Sequence, residues 1–460
     1  MNMMGLDSME GGNPSTLNSA RLHEFALEHY DKFLAATKAQ MAQATRQQGR
    51  RLAMVSSLLV VCIENMQRHP RNALTHAWQG LNLVAELKDD NEEFDPRIRN
   101  GLSTPAPKYI EDELLQQFNR MELQILHMYD THTGERKPRL MTEGTLSVRN
   151  MPEIFVDINE AKLYLDLVMR RALRFMAYSL AGKPPMVRFK EDPDEASLFD
   201  LEGFSQALEF PDGLQVSANP SLSTRAVQCR DEFIVLNSTC RPLLPRHATE
   251  LTITLQAEQE AYIEENRRWS KAFEQLFRAS LSDMNSIDAF RVLLMKVHSL
   301  SSSMHLACRF STTQLIWDSF TPQMESLVDM SRTILKHPYS DVVFSGRSFT
   351  FDVGLIHPLL TPAVCCRDRR IRREAIELLS TRTWREAQWV SRLSADVAIF
   401  MMETEEEGVE TDFIPEWARA KLTAVDVGKE DRRTILHCTR GVGSSAVHIE
   451  SARDWSNLRS

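Results

Sequence analysis

Apolar positions along most of this chain recur three or four residues apart, the spacing of one helix face, and seldom alternate. Leu22, Phe25, Ala26, His29, Tyr30 and Phe33 mark a first helix, with Asn18 or Ser19 as caps. The apolar run Leu52–Ile63 predicts a core helix reaching Met66 and broken at His69–Pro70, because proline disfavours the helical turn before it. Leu74, Ala77, Trp78, Leu81 and Ala85 stripe a third helix. Further helices are predicted over Glu113–Tyr129, with Leu114, Phe118, Met121, Ile125 and Met128 in register, and over Phe155–Leu180, with Ala161, Tyr164, Val168, Ala172 and Phe175 inward. Helices resume over Glu250–Ser280, Ser286–Cys308 and Thr312–Lys336.

The stretch Phe349–Glu407 carries the strongest pattern. A short extended piece, Phe349–Phe351, leads to a helix start at His357–Pro358, and Pro362 predicts a kink or a later start. Ile371, Ala375, Leu378 and Leu379 share one face, as do Trp389, Leu393, Val397 and Phe400. Arg372, Arg373, Glu374, Arg385, Glu386 and Arg392 fall on the opposite faces and are expected outside. Ile414–Leu422 continues the helical half, and Arg432–Thr439 alternates weakly as a short strand.

The fold class expected is all-α: a two-halved, solenoid-like array of stacked helical hairpins with very little strand and no strict repeat period. Residues 1–19 read as disordered. Residues 20–440 form the main domain, with helical halves at about 20–182 and 248–422 and an irregular crossing at 183–247. Residues 88–107 read as a linker, 131–150 as a polar loop and 441–460 as a flexible tail.

Composition narrows the class. With 43% hydrophobic and 25% charged residues the chain reads as soluble and globular. A net charge of -9 opposes a broad basic surface that would bind nucleic acid by electrostatics alone. The seven cysteines are odd in number and form no CxxC pair, which favours a reducing compartment over a disulfide framework. The polar N-terminus has no apolar signal core, and Leu52–Ile63 falls short of the about 20 apolar residues a bilayer requires. No membrane association is expected.

Candidate chemistry is sparse. No phosphate loop, dinucleotide fingerprint, HExxH or GxSxG is present. Cys365–Cys366, beside Arg367, Arg369 and Arg370, is the nearest approach to an activated thiol. It reads better as one core cysteine and one at a turn. His437–Cys438 is a metal-type pair, but adjacent strand residues point to opposite faces. His298 and His305 share a helix face about 10 Å apart, too far for one ion. The acidic run Glu403–Glu407 reads as a helix end in want of a partner or a nearby arginine, since the dipole disfavours acids there. The basic run Arg367–Arg373 reads as a charged face pairing with carboxylates. Glu135–Arg139 is a weak nuclear-import candidate. No enzyme activity is expected, and no catalytic, cofactor-binding or metal residue is assigned.

The segment FTFDVGLIHPLLTPAVCCRDRRIRREAIELLSTRTWREAQW resembles the C-terminal regulatory region of fungal transcription factors with a six-cysteine binuclear zinc cluster. The residues that carry the likeness are Pro358–Leu359, Cys366–Arg367–Asp368, Arg372–Arg373, Ala375–Leu379, Glu386 and Trp389, followed by Ile414–Arg419. Upstream, Leu58–Glu64 and Asn72–Leu87 are similar to the early helical hairpin of that region, so the likeness spans about Ala20 to Arg440. The resemblance implies a helical regulatory module of the fungal-specific transcription factor type, a nuclear location and a role in transcription, for example control of a biosynthetic gene cluster. Its implied partners are other transcription factors or coactivators, as homo- or heterodimers. Two departures matter. Ala387 stands where the family has glycine, which predicts a helix running on through that point. The zinc cluster is absent, so sequence-specific DNA binding by this chain is not implied; an N-terminally shortened zinc-cluster factor is one explanation. The alternative is a helical protein-binding scaffold outside transcription.

Overall fold

The fold comes from a computed structural model, which describes residues 28–29, 32–33, 35–66, 70–90, 101–126, 142–178, 187–189, 249–311, 313–344, 350–386, 389–427, 433–441 and 446–454. Its helices are α1 (Arg46–Met66), α2 (Pro70–Asp90), α3 (Asp112–Leu126), α4 (Thr145–Arg149), α5 (Ile158–Tyr178), α6 (Thr249–Ser280), α7 (Ile287–Cys308), α8 (Thr321–Lys336), α9 (Ser340–Val343), α10 (Ile356–Cys365), α11 (Arg369–Ser380) and α12 (Ser391–Glu406). The strands are β1 (Val187–Phe189), β2 (Arg385–Glu386), β3 (Trp389–Val390), β4 (Ala420–Val427), β5 (Arg433–Arg440) and β6 (Val447–Asp454).

Local chemistry sets several boundaries. Pro70 opens α2, where a missing N–H costs nothing because the first helical turn has no acceptor for it. Ser286 caps α7 by accepting from the Ala289 N–H at 3.1 Å. Asp368 caps α11 by accepting from the Ile371 N–H at 3.0 Å. The expected helix Thr312–Lys336 divides instead: Thr313 caps a 3₁₀ turn, Gln314–Phe320, and α8 restarts with Pro322 in its first turn.

Helices adjacent in sequence pack as pairs: α1 on α2, α6 on α7, and α10 on α11 with α12 across both. The helix α5 lies against α3, α6 and α7. Two apolar cores result. One gathers α1–α3, α8, α10–α12 and the C-terminal sheet. The other gathers α4–α6 around Trp269, Phe273, Phe155 and Phe175. The wall between them is α7, which gives Phe290, Leu293 and Val297 to the first and Val292, Met295 and Leu306 to the second.

The molecule is mostly helical, as expected, but the structure corrects the reading in four places. The tail expected to be flexible contains β6, and the presumed end of the helical half contains β4. With β5 and the parallel strand β1 from the presumed irregular crossing they form one sheet in the order β1-β4-β5-β6. Pairing with other segments decides these strands, since their own alternation is weak: β4, β5 and β6 follow one another as antiparallel neighbours, and β1 joins them from far earlier in the chain. Second, Arg385–Glu386 and Trp389–Val390 pair as a two-stranded antiparallel ribbon and α12 begins at Ser391; Ala387, where a continuing helix is expected, lies outside the described residues. Third, α10 begins at Ile356 and runs through the buried Pro362 without the later start. Fourth, the expected loop 131–150 contains α4. Residues 351–352 form a bend rather than an extended piece, and Phe349 lies outside the described residues, as do 1–27, half of the linker and most of the crossing.

Gly80 shows how closely α2 approaches its neighbours. A Cβ there would lie 2.4 Å from Phe118 Cε1 and 2.5 Å from Ser57 Oγ, within the contact of α1, α2 and α3. Alanine is the better helix former by about 1 kcal/mol, yet overpacking of this kind costs about 1–3 kcal/mol. Gly80→Ala is therefore expected to lower the urea midpoint; a raised midpoint would show that these helices stand further apart.

Candidate functional site

The buried faces of a helix cannot leave their polar groups to water, and those of α7 carry many. Ser299 Oγ meets Asn266 Oδ1 at 3.2 Å and Ser270 Oγ at 2.9 Å, and Ser302 Oγ accepts from Asn266 Nδ2 at 3.3 Å; these bonds join α7 to α6. Gln259 Nε2 donates to the Leu306 carbonyl at 2.6 Å, satisfying a C-terminal group of α7. On the side facing α10, His298 Nε2 lies 2.9 Å from the Gly354 carbonyl and His305 Nε2 lies 2.7 Å from Thr361 Oγ1. Arg309 Nη2 donates to the Met176 carbonyl at the end of α5, at 2.7 Å.

These groups surround a cavity of about 30 Å³ between α5, α7 and α10. Its apolar wall is Met169, Leu173 and Met176; its polar wall is His298, Ser301, His305, Arg309 and His357. The His305 and His357 rings lie 5.0 Å apart between centroids. Among the described residues the buried Ser301 hydroxyl has no partner. Burial, reinforced by the charge of Lys162, pushes the His298 pKa down to about 4, so its imidazole is neutral at pH 7 and donates from Nε2. A space of this size holds a water or two, far less than the about 300–1,000 Å³ of a typical ligand pocket.

Gly354 joins this cavity to a second buried group. Its carbonyl accepts from His298, while its N–H donates to the Glu386 carboxyl at 3.1 Å. Leu355 and Ile356 N–H also reach that carboxyl, at 2.7 and 3.1 Å, as does Trp384 Nε1 at 2.7 Å. Glu386 thus caps the N-terminus of α10 with the charge that the helix dipole favours. It was expected outside; it is 1% exposed because four donors replace its water. Burial nonetheless pushes its pKa up to about 7, with the four hydrogen bonds pulling the other way.

The acidic and basic runs meet. Glu405 is fully buried between Arg367, at 2.7 Å, and Arg372, at 2.5 Å, and also accepts from the Ala420 N–H at 2.8 Å. Burial opposes its charge, but Arg367 and Arg372 outweigh that and hold the carboxyl below its ordinary value. Arg373 pairs with Glu406 and Arg440 with Glu407. The expected pairing of Arg367–Arg373 with carboxylates is therefore present, but Arg372 lies inside, not on an outer face. A comparable set lies on α5: Arg174 holds Glu122 through two bonds of 2.8 Å and Glu143 at 2.7 Å, and Arg171 holds Glu265.

The sequence candidates are placed as follows. Cys365 and Cys366 are both 1% exposed, and burial raises the Cys366 thiol, the opposite of activation. Cys438 faces the core while His437 faces away, so that pair does not share an ion. Glu135–Arg139 lies outside the described residues. Sequence reasoning missed Glu386 and the cavity; the available signal was Gly354 just before a proline-marked helix, with His298 and His305 on one face.

Two expectations follow. Glu386 binds its proton more tightly folded than unfolded (about 7 against 4.5), so its contribution is full below about pH 4.5 and disappears as pH rises to about 7. His298 has the opposite sign, adding stability as pH rises from about 4 to its ordinary 6.5. Wild-type stability relative to Glu386→Gln should therefore fall by roughly 3 kcal/mol across that first window in urea titrations; a pH-independent difference refutes the raised pKa. Arg372→Ala leaves Glu405 short of a buried partner and should cost about 3–5 kcal/mol. Arg370→Ala, whose 61%-exposed side chain pairs with Glu325 at the surface, should cost no more than about 1 kcal/mol, and equal losses in chemical denaturation would overturn this assignment.

Among the described residues no helix is long and apolar enough to cross a membrane. No family model, curated protein or solved structure matches the chain.

Proposed function

We propose that the chain is the helical regulatory module of a transcription regulator of the fungal zinc-cluster type. In this reading its helical pairs stack as hairpins in two halves, and it works in the nucleus through other transcription factors or coactivators. One observation supports the reading above the rest: the residues that carry the resemblance hold the C-terminal helices together. Pro358 and Leu359 are buried in α10, Asp368 caps α11, Arg367 and Arg372 hold Glu405, Ala375 and Leu379 are core, Glu386 caps α10 and Trp389 is buried beside it. A motif made of such contacts is a signature of a module, and its likeness is informative about the whole helical unit. Gene control is then inferred by analogy with the family, because fold and function are separable.

The 460 residues hold no six-cysteine cluster, so DNA binding by the chain itself is not part of the proposal. Purified chain should leave promoter DNA unshifted in gels at physiological salt. Transcript profiling of a strain lacking the protein should show a coherent gene set changed, with a tagged copy in the nucleus. An unaltered transcript profile, or exclusion of the tagged protein from the nucleus, would instead favour a scaffold outside transcription.

A further inference from the structure

The C-terminal sheet places three metal-type ligands side by side. The strands β5 and β6 pair antiparallel without a register shift, and His437 stands directly opposite Glu450. Side chains two apart on a strand share a face, so His448 stands on the same face as Glu450. Leu436 and Cys438, the neighbours of His437, are fully buried, and Ile449 between His448 and Glu450 packs against the core. The other face of the ribbon therefore presents His437, His448 and Glu450 outward. The Glu450 Oε1 lies 3.1 Å from His437 Nδ1 and 3.1 Å from His448 Nε2, and the two rings stack with centroids 5.6 Å apart. One ligand atom from each residue falls within 4.8 Å of the others.

We infer that His437, His448 and Glu450 form a surface binding site for a divalent transition-metal ion, with Zn²⁺ as the best fit. Two imidazoles and one carboxylate are the ligand types zinc takes, and it has no d-electron geometry to enforce on a site built from two strands. Bonds of about 2.0–2.2 Å from nitrogen and oxygen to zinc bring ligand atoms somewhat closer than the present spread, which rotation of exposed side chains supplies. The ion would replace the two N–H···O contacts that now converge on Glu450, each neutral imidazole moving its proton to the other ring nitrogen so that His437 Nδ1 and His448 Nε2 are free to coordinate. A fourth position faces solvent, open to water or to a donor from a binding partner. The consequence is structural as well. In the sheet order β6 is an end strand, held there by β5 alone, so an ion shared between them fastens the sheet edge. The objection to His437–Cys438 stands, because those residues face apart; the partner strand, not the neighbour in sequence, supplies the ligands.

The test uses full-length protein stripped with chelator and titrated with Zn²⁺ by calorimetry, beside His448→Ala and Glu450→Gln. Both substituted residues are more than half exposed, so the variants should keep wild-type circular dichroism and melting. Cys229 and Cys240 lie outside the described residues and can take zinc of their own, so the difference between proteins is the readout. Wild type should bind one more Zn²⁺ than either variant, with micromolar affinity, and its melting temperature should rise with Zn²⁺ and not with Mg²⁺. Equal stoichiometry and affinity in wild type and His448→Ala, or no zinc uptake by wild type, would overturn the site.

Discussion

The rest of the fold depends on one constraint: α7 lies between the two cores, so the polar groups on its buried faces are met by neighbouring helices, with the Ser301 hydroxyl an exception among the described residues. That requirement fixes its neighbours more narrowly than apolar packing alone, because hydrogen bonds are directional and an unmade buried one costs about 1–3 kcal/mol. Asn266 and Gln259 set the position of α6 along α7, and Gly354 and Thr361 set that of α10. Arg309 ties the end of α5 to the same helix. The small cavity lies where these demands meet and the side chains do not quite fill the space.

Buried charge acts in the same manner further out. Glu405 stands 38 and 33 residues from the arginines that hold it. Isolated, each ion would carry a desolvation penalty of several kcal/mol; the two arginines and the Ala420 N–H together satisfy the carboxylate, while Arg372 Nε and Nη1 have no partner among the described residues. Such a cluster adds less to stability than to uniqueness, since any other docking of α11 on α12 would strand a charge. Because Ala420 begins β4, the same carboxylate also orients the strand that starts the C-terminal sheet. The arginines of α5 serve α3 and α6 similarly.

These interactions bear on function through what they leave free. Among residues that look chemically active in sequence, the paired cysteines and Arg367, Arg372 and Glu405 of the charged runs are taken up internally. The internal ion clusters hold the helices that carry them in one arrangement, which the proposed reading as a module acting by contact calls for. The histidine and glutamate group on the sheet differs in kind, for it faces outward and its contacts are with one another.

The sequence by itself determined where helices form and where several of them end. The spacing of apolar residues in α5–α7 and α11, the caps Ser286 and Asp368, and the break before Pro70 are local properties, carried by backbone sterics and neighbours within a turn or two. It also announced that Arg367–Arg373 needs carboxylates. Only the tertiary structure decided which arginine turns inward, that Glu386 leaves the helix pattern to cap α10, and that weakly alternating C-terminal segments pair as a sheet. The buried ion pairs and the Glu386 cap join groups 30 or more residues apart, and each strand pairs with another segment of the chain. Their strength comes from exclusion of water and from register with another segment, and periodicity within one segment encodes neither.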